Sequence, residues 1–189
     1  MKDLDVAIKI MGMQIIRDRD SKTLYLSQAD YVKKVLTRFS MEDSKPVTTS
    51  LSAHFQLSKS LELTTDDDLN YMRKIPYSSA VCSIMYAMEC TRPDLAHRVG
   101  VISRFMGNPG KDHWNAVKWA LRYLRGTIVT AIVFGKIDGA SPEVAGFVDS
   151  DYAADKDRRR SITRFVCTVC GGAISWKSSL QSVVSLSTT

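Results

Sequence analysis

The sequence is poor in the residues on which several protein classes depend. Its 189 residues include four cysteines, at 82, 90, 167 and 170. Four thiols in a chain of this size make no disulfide framework, so a reduced intracellular setting is expected. No uncharged stretch approaches the roughly 20 apolar residues of a bilayer span; one of the longest runs only from Tyr77 to Met88. Met1 to Asp20 carries Lys2, Asp3, Asp5, Lys9, Arg17, Asp18, Arg19 and Asp20 where a secretory signal would be apolar. A membrane role is therefore excluded from the reading. The three histidines, His54, His97 and His113, stand apart from any nucleophile, and no serine has a G-x-S-x-G setting, so no hydrolase triad can be built. Cys167-x-x-Cys170 has no second pair and no nearby histidine, which leaves it a structural pair rather than a zinc site. No glutamate follows Glu143.

What is present is a globular composition with an excess of cations. Lys+Arg number 26 and Asp+Glu 20, a net charge of +6. Up to Gly126 there are nineteen basic and fourteen acidic residues, and after it seven and six. Acidic partners are favoured by the first part, nucleic acid foremost.

Periodicity divides the chain at the same place. Lys9 to Ile16 and Thr23 to Leu26 flank a polar turn and read as a β-hairpin. Ser27 and Asp30 have capping spacing ahead of a helix from about Gln28 to Phe39, whose apolar positions are Val32, Val35, Leu36 and Phe39. Glu42 to Ser60 has no sustained period and reads as a long surface connection. Asp66-Asp67-Asp68 lacks flanking strands and fits a helix N-terminus, where acids favour the dipole. Tyr77 to Cys90 is expected to be a helix buried on most of its surface. A second helix follows Arg92-Pro93-Asp94, and a third runs from about Asp112 to Arg125 with Gly126 as its cap. From Thr127 the pattern becomes β-rich, at 128–134, 144–148, 162–169, 173–176 and 182–186. The sequence stops at Ser187-Thr188-Thr189, residue types suited to a helix N-cap, and a truncated unit is expected.

Two groups of residues carry possible chemistry. Lys111, Lys118, Arg122 and Arg125 recur at spacings of 7, 4 and 3, which sets four cations on one helix stripe. With Arg92, Arg98 and Arg104 they could neutralise a phosphate backbone, or they could be a solvated face. Arg158-Arg159-Arg160 invites the same two readings, the plainer being a basic turn between strands. Asp149 and Asp151 end an apolar strand and project from the same side of a sheet, which can begin a Mg²⁺ site. Two-metal phosphodiester cleavage needs further carboxylates. Asp155 and Asp157 fit turn positions better, and the Asp149/Asp151 pair by itself also suits turn acids.

Several stretches together resemble the Pol polyproteins of copia-type retrotransposons, between the reverse-transcriptase palm and ribonuclease H. They are Met1-Lys2-Asp3-Leu4, Gly12-Met13-Gln14-Ile15, Leu26-Ser27-Gln28-Ala29-Asp30-Tyr31, Pro76-Tyr77-Ser78-Ser79-Ala80-Val81, Thr91-Arg92-Pro93-Asp94-Leu95-Ala96, and His113-Trp114 with Leu121-Arg122-Tyr123-Leu124-Arg125-Gly126-Thr127. Asp149-Ser150-Asp151-Tyr152-Ala153 and Ile174-Ser175-Trp176-Lys177 continue the family's order across the chain.

The resemblance implies an α+β fold: a β-hairpin and a helical thumb- and connection-like block over residues 1–126, then a truncated ribonuclease H-like mixed sheet over 127–189. It implies a grip on an RNA/DNA hybrid, for which the charge pattern offers Arg92, Arg104, Lys111, Lys118, Arg122 and Arg125, with the remainder of a polyprotein as partner. Asp149 matches the first metal-binding carboxylate of the nuclease and Asp151 a neighbouring acid, so Mg²⁺ is the implied cofactor of any remaining activity. The polymerase Asp pair lies upstream in the family and the next nuclease ligand, a Glu, just past Thr189, so a catalytically inert fragment is expected. The rival expectations are a ribonuclease completed by a partner chain, and a protein-interaction module. The sequence departs from the family pattern at Asp5, Cys82 and Arg164, which replace Gly, at Ser50, which replaces Pro, and at Glu89 and Arg98, which replace small or apolar residues. Arg164 and Cys82 are expected to disturb close packing.

Overall fold

The computed structural model describes residues 6–51, 55–63, 65–135 and 143–184. Its N-terminal sheet has the order β1-β2-β3-β4, with β1 at Lys9–Ile10, β2 at Met13–Asp18, β3 at Thr23–Ser27 and β4 at Ala131–Phe134, every pair antiparallel. The hairpin expected over 9–26 is there with one more turn. Met11 and Gly12 take φ of 47° and 74°, a two-residue turn that splits the first run into β1 and β2. Gly12 is what makes this turn inexpensive. The strand at 131–134, read in sequence with the C-terminal strands, pairs instead with β3, Leu26 against Ile132 and Tyr25 against Val133.

Between β3 and β4 lie the helices α1 (Ala29–Arg38), α2 (Asp66–Arg73), α3 (Tyr77–Thr91), α4 (Ala96–Ile102) and α5 (Lys111–Gly126). Short 3-10 turns at 93–95 and 103–105 flank α4, so the second helix of the block is shorter than its apolar stripe suggests. Residues 42–51 and 55–58 form neither helix nor strand, as the aperiodic composition implies. Thr65 caps α2 by accepting from the Asp68 amide, with all three aspartates in the first turn. One core joins the helices: Val32, Val35 and Leu36 of α1, Val81, Ile84 and Ala87 of α3, Val99 and Ile102 of α4, and Val117, Leu121 and Leu124 of α5. Helix α3 still keeps an exposed stripe at Ser78, Cys82, Tyr86 and Glu89. Cys82 therefore lies on the surface and costs no packing.

The second sheet, order β5-β6-β7, comprises β5 (Val144–Asp151), β6 (Ile162–Val169) and β7 (Gly172–Leu180). It is antiparallel throughout the described residues, not mixed. Consecutive strands joined by short connections can only pair this way, because parallel pairing needs a crossover of a dozen or more residues. Cys170 and Gly171, at φ of 48° and 77°, make the turn between β6 and β7. Strand β7 runs on to Leu180, whereas Ser182 to Val184 is not a strand; the rest of that expected strand, and the terminal Ser-Thr-Thr, lie outside the described residues. The two sheets meet where the Phe134 ring covers Gly172 and the Gly135 amide donates to the Cys170 carbonyl. The helical block is tied to the second sheet by the Trp176 indole, which donates to the Met88 carbonyl at 3.1 Å.

Candidate nucleic-acid interface

Helix α5 sets the site. Its buried side, with Ala116, Val117, Ala120, Leu121 and Leu124 at helical spacing, faces the core and turns the cationic positions outward. His113 starts it: the imidazole Nδ1 accepts from the Gly110 amide at 2.8 Å while the ring stacks on Phe105 at 4.0 Å. Burial pushes this imidazole below the usual histidine value.

The connection after α1 passes along the outward side, held by α5 itself. Arg125 Nε donates to the Glu42 carbonyl, Arg122 Nε to that of Lys45 at 2.7 Å, and the Trp119 indole to that of Thr49 at 2.9 Å. The Arg122 guanidinium also lies 5.1 Å from the centre of the Trp119 ring. These hydrogen bonds use only Nε of each arginine, so the Nη atoms of Arg122 and Arg125 have no hydrogen-bond or ion-pair partner among the described residues. Lys118 makes no ion pair among them either and lines a cavity of about 710 Å³ with Phe55, Leu57, Asp112, Trp119 and Arg122. Lys111 differs: its ammonium is 2.6 Å from Asp68 and sits over the Tyr71 ring, joining α5 to α2.

The other expected phosphate ligands are engaged internally. Arg92, 1% exposed, clasps Asp94 with Nε and Nη2 at 3.0 and 2.7 Å and donates to both the carbonyl and the hydroxyl of Thr127. Arg104 pairs with the buried Asp155 at 2.6 Å and donates to the Gly100 carbonyl, fastening α4 to the loop between β5 and β6. Arg92 is thus a buried structural ion pair, not a surface ligand, and Arg104 is a tie between the two halves. Arg158–Arg160 are indeed in the turn between two strands, with the Arg158 and Arg159 amides held by Asp155. Asp157 accepts from the Lys59 amide, again a connection rather than a ligand.

Asp149 and Asp151 do share one side of β5. Antiparallel register sets Arg164 directly opposite Asp149 and Ile162 opposite Asp151, so both carboxylates reach the same guanidinium, Nη2 being 3.0 Å from Asp149 and 3.7 Å from Asp151. Among the described residues no three His, Cys, Asp or Glu side chains are grouped to hold a metal ion. A resident Mg²⁺ takes several oxygen ligands in near-octahedral order. Two carboxylates already sharing an arginine do not fit that requirement. His97, on α4, is lowered in pKa first by burial and then by the charge of Arg164. His54 lies outside the described residues.

Over all 189 residues the chain is 55% identical to the retrovirus-related Pol polyprotein from transposon TNT 1-94 of Nicotiana tabacum. The chain belongs to the Pol polyproteins of copia-type retrotransposons. It spans 14% of that tobacco polyprotein and 11% of the one from transposon RE2 of Arabidopsis thaliana, to which it is 34% identical over 88% of its own length. An uncharacterized Arabidopsis mitochondrial protein, AtMg00810, is 33% identical over the whole chain, which covers 74% of it. No family profile and no solved structure matches this Pol segment.

Two features of the Pol segment escaped the sequence reading: Trp119 beside the cations, and the Lys45 backbone laid against Arg122. An aromatic four positions before Tyr123 on a basic helix was a usable signal for the first. The second had none, because the aperiodic connection shows no register with α5.

Proposed function

We propose that this chain is the part of a copia-type Pol polyprotein running from the end of the reverse transcriptase, over residues 1–126, into the start of ribonuclease H, over 127–189. In this reading it holds nucleic acid without regard to sequence, an RNA/DNA hybrid above all, and performs no chemistry itself; the remainder of the polyprotein is its partner. The observation that carries the proposal is the outer side of α5, where Lys118, Arg122 and Arg125 keep cationic donors beside Trp119 and the cavity of about 710 Å³. Unsatisfied guanidinium and ammonium donors suit phosphate oxygens, and an aromatic ring suits a base face. Arg92, Arg104 and Lys111 maintain the scaffold.

The test is fluorescence anisotropy with a labelled RNA/DNA hybrid between about 50 and 200 mM salt. Three phosphate contacts imply a slope of log affinity on log salt of about −2 to −3, a loss of roughly 20- to 60-fold over that range. Replacing Lys118, Arg122 and Arg125 together by Ala is expected to remove most of this slope. A slope unchanged in the triple variant overturns the assignment.

A further inference from the structure

We infer that the Arg164 guanidinium takes the position of a divalent cation at the Asp149/Asp151 pair, so that this chain binds no metal there and a single substitution uncovers a latent hard-cation site.

The register makes the arrangement durable. Strands β5 and β6 pair without interruption from Val144 against Val169 to Asp151 against Ile162. A slip by one residue would turn Arg164 to the opposite side of the sheet and carry every neighbouring side chain with it. The arginine is also committed energetically. Its side chain is half-buried, whereas the carboxylates are exposed, and its Nε is buried without a hydrogen-bond partner. Only the two aspartates compensate that charge through hydrogen-bond or ion-pair contact among the described residues. Withdrawing from them would leave a partly desolvated cation alone, which is more costly than keeping the pair.

Charge then decides which cation the carboxylates hold. A divalent ion close enough to bridge Asp149 and Asp151 would stand within a few ångströms of the guanidinium, and repulsion at that range is strong under any effective dielectric of a protein surface. The guanidinium already meets both carboxylates as a fixed charge, Nη2 at 3.0 Å from Asp149 and 3.7 Å from Asp151. With the arginine removed, the same pair keeps its spacing on one side of β5 and offers two hard oxygen ligands, water supplying the others.

The experiment counts free Mn²⁺ by electron paramagnetic resonance in solutions of the full 189-residue chain and its variants. The wild type is expected to show no saturable binding up to about 5 mM, above the range of weak oxygen-ligand sites. Arg164→Gly is expected to bind at least about tenfold more tightly, and the gain is expected to vanish when Asp149→Asn is added. Should circular dichroism show Arg164→Gly unfolded, Arg164→Gln, which keeps much of the side-chain bulk and loses only the charge, carries the same expectation. Saturable wild-type binding that Asp149→Asn abolishes overturns the inference, and so does a folded charge-removing variant that gains none. The readout involves no nucleic acid, so it stands or falls apart from the proposed grip on a hybrid.

Discussion

Replacing Arg98 by methionine is expected to make the protein more stable, against the intuition that a charged residue is kept because it helps. Arg98 lies in α4 with 0% of its surface exposed. Nη1 donates to the Ala116 carbonyl at 3.1 Å, but Nε and Nη2 are buried without partners, and no carboxylate pairs with it among the described residues. Burial pulls the guanidinium from its ordinary value down to about 9. At 1.36 kcal/mol per pKa step that fall amounts to roughly 5 kcal/mol of penalty on the charged form. The Ala116 hydrogen bond and the packing of the methylenes offset part of it, so a methionine of similar length is expected to gain about 1–4 kcal/mol. The midpoint of thermal unfolding would rise by about 2–4 °C for each kcal/mol. Urea unfolding near pH 7, with the m-value unchanged, measures the gain directly. A second arm isolates the charge. The folded form gives up its proton from about pH 9 upward, well before the unfolded chain does. Because the unfolded state then binds more protons, wild-type stability rises relative to Arg98→Met, and the gap narrows between about pH 8 and 10. A less stable variant, or a gap constant over that interval, would refute the reasoning.

Two further outcomes follow from contacts already described. A methyl group at Gly172 would stand 2.3 Å from Phe134 Cδ1, so Gly172→Ala is expected to cost about 1–3 kcal/mol. Phe134→Leu added to it should recover part of that loss in thermal unfolding; a strictly additive double variant would show that the ring is not the obstacle. His113 has its pKa lowered first by burial, so below about pH 6.5 the unfolded chain takes up a proton that the folded one resists, and stability falls as pH drops. His113→Asn, which retains an acceptor for the Gly110 amide, should flatten that decline between about pH 7 and 5, leaving a remainder from His97. Urea titrations across this interval that superimpose for the two proteins would rule the mechanism out.

The elements that were legible in the sequence are those specified by local spacing. Val32, Val35 and Leu36 mark α1, and Trp114, Val117, Leu121 and Leu124 mark α5, because helical periodicity is written in neighbouring residues. What was not legible depends on distant partners. Nothing near Ala131 indicates that it will pair with Ser27 rather than with the strands that follow. The same limit applies to the charges. Spacing shows which cations share a stripe, but not that Arg92 will turn inward to Asp94 and Thr127, that Arg104 will reach Asp155, or that Arg164 will stand between the two aspartates. Counting cations therefore overstated how many are free to meet a ligand: Arg92, Arg104 and Lys111 are paired within the fold, whereas Lys118, Arg122 and Arg125 make no ion pair among the described residues.

The pairing of β3 with β4 also fixes an order of events. Ser27 and Ala131 are opposite one another, yet about a hundred residues separate them along the chain. As the polypeptide is synthesised, strands β1 to β3 and all five helices emerge while β3 still lacks its outer neighbour. The contact that completes this sheet must wait for α5, and it closes a loop whose entropy only the packed helices can offset. Strands β1 to β3 are thus made before the five helices yet completed only after them, and until β4 arrives they present a bare edge on which other chains could pair.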